Sequence, residues 1–162
     1  IGHAGATPEQ IHAAVNAGAR LSTHLGNGCA AQLHRHHNIL WPQLADPRLT
    51  ACLIADGHHV PPDLVRTVLK AKSSRNVILT CDAAGWAGCP PGVYHGEIGA
   101  SEILDSGKLV VAGQRELLAG SAQETDVCLT TIRAMTGVGS SAATSTSSEK
   151  RHHPTQTRGP RS

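Results

Sequence analysis

The feature that most constrains this chain is a rhythm. Short strand-like runs recur about every 25–30 residues, helical patterns stand between them, and each run stops at a histidine or an aspartate. The runs occupy 19–24, 49–55 and 76–81, and they end at Thr23-His24, Asp56-Gly57-His58-His59 and Asp82. Before the first run, Thr7-Pro8-Glu9-Gln10 offers an N-cap, a proline at the first helical position and a capping-box glutamine. Ile11, Ala14 and Val15 then fit a short amphipathic helix that stops at Ala17-Gly18. Residues 25–38 read as a long loop, and a short helix is expected at about 39–46. Pro61-Pro62 opens another helix, with Leu64, Val65, Val68 and Leu69 on one face. Alternation of this kind predicts βαβ units and a parallel sheet, hence the α/β class.

After residue 91 the pattern changes. Glycines at 92, 96, 99, 107 and 113 punctuate short alternating runs, which predicts a small antiparallel β insertion near 92–113. A helical pattern returns at about 121–136. From 139 to 162 the chain is Ser, Thr, Ala, His, Arg and Pro without hydrophobic period, and a disordered tail is expected. The chain opens at Ile1-Gly2-His3, which reads as entry into the middle of a folded element and suggests a fragment.

Composition removes several function classes. Of the 162 residues 40% are hydrophobic and 16% charged, enough to bury a core. No run of about 18 apolar residues offers a membrane span. The formal charge is +2, and the tail sets Lys150, Arg151, Arg158 and Arg161 against Glu149, which leaves the body close to neutral. With Trp41, Trp86 and Tyr94 as its three aromatic residues, the chain lacks the basic, stacking surface of a nucleic-acid binder. Five cysteines, an odd number without a CxxC pair, argue for reduced thiols and a cytoplasmic protein.

The 11 histidines are the anomaly. His3, His24, His59 and Asp82 stand at or just beyond the C-terminal ends of successive strand-like runs, at spacings of 21, 35 and 23 residues. In a barrel of parallel strands those ends converge on one face, where catalytic residues come from several strands. Two imidazoles and a carboxylate gathered there would suit a divalent cation, which lowers the pKa of bound water toward ~7. A carboxylate such as Asp82 would then move the proton from water to a leaving nitrogen. The expected chemistry is amide hydrolysis.

Five segments, taken in order, resemble one family: Gly2-His3-Ala4-Gly5-Ala6-Thr7, Ser22-Thr23-His24-Leu25-Gly26-Asn27-Gly28, Ile54-Ala55-Asp56-Gly57-His58-His59-Val60, Leu79-Thr80-Cys81-Asp82-Ala83 and Leu118-Ala119-Gly120-Ser121. They are similar to the N-acetylglucosamine-6-phosphate deacetylases of the amidohydrolase superfamily. The resemblance covers residues 1 to about 138 and implies the second half, about strands 5–8, of a (β/α)8 TIM-like barrel. By position it implies that His3 and His24 bind a divalent metal, zinc foremost, with iron or another divalent ion as alternatives. It implies Asp82 as the catalytic aspartate, and Asn27, Gly28, Arg35, His59, Leu118, Ala119 and Gly120 as substrate contacts. It implies a small amino-sugar substrate, and a homodimer in which Arg35 reaches the neighbouring subunit's phosphate. The family's glutamate metal ligand would lie in a preceding first half, so the isolated chain is expected to be inactive.

The sequence also departs from the family. His36-His37-Asn38 follows Arg35 where Glu-Pro-Gly is usual, Gly28 stands for alanine and Cys29 for methionine. Ala122-Gln123-Glu124 follows Ser121 in place of Leu-Thr-Met. Two other readings therefore stay open: an amidohydrolase acting on a different N-acyl or cyclic amide, and a non-catalytic half barrel.

Overall fold

The computed structural model describes residues 1–97 and 99–137. Three parallel strands, β1 (Leu21–Ser22), β2 (Thr50–Ile54) and β3 (Val77–Thr80), form one sheet in chain order. Backbone bonds of residue 1 extend this sheet beyond β1: the Ile1 ammonium donates to the Leu21 carbonyl at 2.8 Å, and the Thr23 amide donates to the Ile1 carbonyl at 2.8 Å.

The helices follow from local chemistry. In α1 (Pro8–Asn16), Thr7 caps the first turn and the Gln10 side chain answers the Thr7 amide, so the capping box is formed. Ile11 and Val15, one turn apart, bury against Ile39 and Leu49. The short helix α2 (Leu40–Ala45) is capped by the Asn38 carboxamide, which accepts the Leu40 and Trp41 amides. In α3 (Pro62–Lys72) the prolines set the start, and Val65 and Val68 are fully buried. The last helix, α4 (Thr125–Thr136), stops at Gly137, whose φ of +68° is a left-handed C-cap.

The main core lies between one face of the parallel sheet and helices α3 and α4. Ala51 and Leu53 of β2 and Val77 of β3 meet Val65, Val68, Cys128, Ile132 and Met135 there. The register pairs Cys52 with Ile78 and places Leu21 on the same face as both, opposite that core. On that second face Leu21 is 50% and Ile78 42% exposed, while Ile54 at the end of β2 is buried.

Between β3 and α4 stands an antiparallel sheet of four strands in chain order: β4 (Gly92–Gly96), β5 (Gly99–Ile103), β6 (Leu109–Val111) and β7 (Gln114–Leu118). The sheet runs to 118, past the expected limit of 113, because β7 carries polar, mostly exposed residues that leave no alternation to read. Two other expectations shift. The strand expected at 19–24 shortens to Leu21–Ser22, because the chain turns into the left-handed region at His24 with φ +32°. The helix expected from 121 begins at Thr125, because Ser121 bridges to Ala83 in parallel fashion. The tail at 139–162 lies outside the described residues. Among the described residues no helix is long and apolar enough to cross a membrane.

Candidate active site

The three parallel strands deliver their C-terminal ends to one edge of the sheet. The residue two positions beyond each end is polar: His24 after β1, Asp56 after β2 and Asp82 after β3. His3 stands two positions beyond Ile1, which pairs with β1. Among the described residues three non-glycines have positive φ, His24 (+32°), Ser73 (+59°) and Asp82 (+53°). Two of these strained positions are thus candidate site residues, and strain of this kind collects where function holds a backbone against its preference.

His3 and His24 come together. Their ring centroids are 5.5 Å apart in an edge-to-face arrangement with an interplanar angle of 84°. Gly28 presses its backbone on both rings: a Cβ there would sit 2.5 Å from His3 Cγ and Nδ1 and 3.0 Å from His24 Cε1. The loop is tied back by the Asn27 amide, which donates to the His24 carbonyl at 2.8 Å. Three polar atoms of this segment, Ser22 Oγ, His24 Nδ1 and Asn27 Nδ2, are buried without a hydrogen-bond partner among the described residues. Buried polar groups are nearly always satisfied, so such a concentration of orphans points to a ligand or ion.

The donor set fits part of a metal site. Two neighbouring imidazoles, one with an orphaned nitrogen, suit a divalent transition metal. Among the described residues, however, no group of three His, Cys, Asp or Glu is placed to hold an ion. The gathering of two imidazoles and the Asp82 carboxylate around one cation is therefore not formed. Asp82 is held elsewhere at the same sheet edge: its amide bonds Thr80 Oγ1 at 3.3 Å, its carbonyl accepts the Ser121 amide at 3.0 Å, and it is exposed.

The loop after β2 forms a second cluster. The Asp56 carboxylate, 5% exposed as a residue, is fully engaged. Its Oδ1 accepts the His58 and His59 amides at 2.9 and 3.1 Å, and its Oδ2 lies 2.8 Å from His59 Nδ1 and accepts the Ser121 hydroxyl at 2.8 Å. Burial alone would raise the Asp56 pKa, but hydrogen bonds from His59, the His58 amide and Ser121 hold it well below the usual carboxylate range. Neither Asp56 nor Ser121 was expected as a site residue. Their signal was present: Asp56 occupies the same position beyond its strand as His24 and Asp82 do beyond theirs.

The turn Leu118-Ala119-Gly120 leads directly into Ser121. Leu118 pairs with Val110, the Ala119 amide donates to the Leu109 carbonyl at 3.2 Å, and Gly120, at φ +91°, lies against Asp82 and Ala84. Arg35 sits apart, on an exposed loop. That loop is folded by His34, whose Nδ1 accepts the His36 and His37 amides at 3.3 and 2.9 Å. The Arg35 carbonyl accepts the Trp41 indole N–H at 2.8 Å.

Known proteins resemble this chain in sequence and in fold. No protein-family model matches the chain. The N-acetylgalactosamine-6-phosphate deacetylase of Escherichia coli O157:H7 is 35% identical over 138 residues, covering 85% of this chain and 36% of that protein. The N-acetylglucosamine-6-phosphate deacetylase of Lysinibacillus sphaericus is 32% identical over 138 residues, covering 84% and 34%. The chain thus spans about a third of the length of these relatives. Among solved structures, the N-acetylglucosamine-6-phosphate deacetylase of Thermotoga maritima superposes with a TM-score of 0.78 at 26% identity, covering 88% of this chain and 38% of that one. A mutant of the Mycobacterium smegmatis enzyme in complex with N-acetyl-D-glucosamine-6-phosphate gives 0.78 at 29% identity, covering 88% and 37%. Over the third of those proteins that it spans, the chain is a homologue of the N-acetylgalactosamine-6-phosphate and N-acetylglucosamine-6-phosphate deacetylases.

Proposed function

We propose that the chain carries part of the active site of a metal-dependent deacetylase acting on N-acetylglucosamine 6-phosphate. The observation that supports this best is the close His3–His24 pair, seated on Gly28 beside the orphaned His24 Nδ1 and Asn27 Nδ2. In this reading the three parallel strands are late strands of a (β/α)8 barrel. Residues 1–138 are its partial barrel domain, the sheet at 92–118 is inserted into it, and 139–162 is a tail outside the family pattern. His3 and His24 are two of the three protein ligands that a catalytic zinc, or another divalent ion, takes. When bound, such an ion polarises the acetyl carbonyl and makes water a nucleophile at neutral pH.

The chain's own residues do the rest. Asp82, exposed at the sheet edge, takes the proton of the attacking water at a carboxylate oxygen and delivers it to the amide nitrogen. The new bond is C–O, the broken bond is C–N, and the products are acetate and the free amino sugar. Asn27 and the Gly28 backbone contact the sugar phosphate, and His59 with the turn 118–120 borders the sugar. Arg35, on its exposed loop, reaches a phosphate across the interface of a homodimer.

A chimera tests the reading. Residues 1–137 replace the matching segment of the Lysinibacillus sphaericus relative, and acetate release is measured on N-acetylglucosamine 6-phosphate and its galactosamine epimer. The expected result is turnover of at least one sugar, with kcat falling about 10²–10⁴-fold in Asp82→Asn. Asparagine tolerates positive φ, so this variant removes the proton carrier without adding backbone strain. A folded, zinc-loaded chimera that turns over neither sugar rejects the proposal. Full activity in Arg35→Ala would reject the phosphate role of Arg35 and favour a different amide substrate.

A further inference from the structure

The loop after β2 holds more chemistry than loop closure requires. Asp56 alone accomplishes the turn, because its Oδ1 already accepts the His58 and His59 amides. The ring of His59 is an addition. Its Nδ1 lies 2.8 Å from Asp56 Oδ2, and the side chains of His59 and Asp56 are only 6% and 1% exposed. The same Oδ2 accepts the hydroxyl of Ser121, itself 1% exposed, from the turn that follows β7. Two loops far apart in sequence therefore converge on one carboxylate oxygen. Nothing in backbone folding asks for an imidazole at that point.

We infer that Asp56, steadied by Ser121, is a positioning residue that locks His59 in the tautomer protonated at Nδ1, so that Nε2 presents a lone pair to the substrate. An ionised carboxylate only accepts hydrogen bonds, so the proton between Asp56 and His59 belongs to Nδ1. In a neutral imidazole the other nitrogen is then an acceptor. Nε2 makes no hydrogen bond among the described residues. The group that suits it is a donor, such as a sugar hydroxyl. That last step rests on the deacetylase reading; the tautomer does not. An acceptor fixed in this way discriminates against a substrate lacking the donor, because the site would then bury an unpaired group.

The test reads protons directly. The 162-residue chain is labelled with ¹⁵N-histidine, and long-range ¹H–¹⁵N correlations are recorded at alkaline pH, where free imidazole is neutral. The expected His59 pattern is the Nδ1–H form, the minor one in free histidine. In Asp56→Asn the carboxamide turns its NH₂ toward the ring and the Ser121 hydroxyl, and His59 is expected to switch to Nε2–H. Ser121→Ala, which leaves the Asp56–His59 pair intact, should keep Nδ1–H. An Nε2–H pattern in the parent chain overturns the inference whether or not Asp56→Asn folds. So does an unchanged tautomer in a folded Asp56→Asn chain. An inactive chimera would reject the deacetylase reading and leave this result standing; the converse also holds.

Discussion

Gly28 shows how much a single missing side chain can decide. The two imidazoles lie edge to face against a loop that projects no side chain toward them at position 28. A methyl at 28 would meet His3 at 2.5 Å, which no Cβ tolerates, and His24 at 3.0 Å. In Gly28→Val, whose branched side chain exceeds the alanine usual in the family at this position, the His3 ring moves, and the residue also takes on about 1–2 kcal/mol of left-handed backbone strain at φ +65°. Zinc affinity of the chain is expected to fall about 10–100-fold, the range seen when the support of a metal ligand is removed. Gly137→Val is the control. It has nearly the same φ of +68° and nothing within 4 Å, so it should lose stability and keep zinc affinity. Equal losses of affinity in the two variants would place the effect in the backbone and not in the rings. The presence of His3, His24, His59 and Asp82 at the ends of runs was legible from spacing alone. Their division into two clusters was not, because it depends on which loop each end turns into.

Asp56 makes a second prediction at the same scale. Its carboxylate pKa is lowered in the folded chain relative to about 3.9 for an unfolded aspartate. A depressed folded value stabilises the native state at any pH above the unfolded value, and the contribution drains away as pH falls below it. Urea midpoints should accordingly decline between about pH 5 and the acid limit of folding. In Asp56→Asn that decline should be shallower, since the titrating group is gone. An unchanged slope would mean that other carboxylates dominate acid unfolding.

At the level of elements, helix α1 was the most readable part of the chain because its start is written in side-chain chemistry. Thr7, Pro8 and Gln10 each perform the role that their type suggests, and Ile11 and Val15 fill one face. Thr7→Ala removes the hydroxyl that accepts the Gln10 amide and is expected to destabilise the chain by about 1 kcal/mol. The check is a lower urea midpoint with an unchanged m-value. A changed m-value would mean that α1 frays independently of the core. Strand β7 was the least readable element. Gln114, Arg115 and Glu116 lie exposed on the sheet, and the strand is defined by pairing with β6, which sequence pattern does not report. The late start of α4 has the same origin: Ser121 is committed to Asp56 and Ala83 across the fold.

At the scale of the whole molecule, the parallel sheet is the informative oddity. Sheets of parallel strands ordinarily have both faces covered, and their strands read as continuous apolar runs for that reason. The runs at 49–55 and 76–81 read that way, yet helices cover only the face bearing Ala51, Leu53 and Val77. On the other face Leu21 and Ile78 stand half exposed, beside Cys52. The sequence pattern thus specifies a second packing layer that the described residues do not provide, as expected of a chain spanning about a third of its relatives' length. A hydrophobic dye should bind this face in the native chain. Replacing Leu21 and Ile78 together by threonine, which keeps β propensity while removing apolar surface, should lower the bound-dye fluorescence by roughly half. The core on the helical face is untouched by the change, so the urea midpoint should hold. If the dye signal persists in the double variant, the exposed apolar surface lies elsewhere, and Val93 and Leu117 on the antiparallel sheet are the next residues to replace.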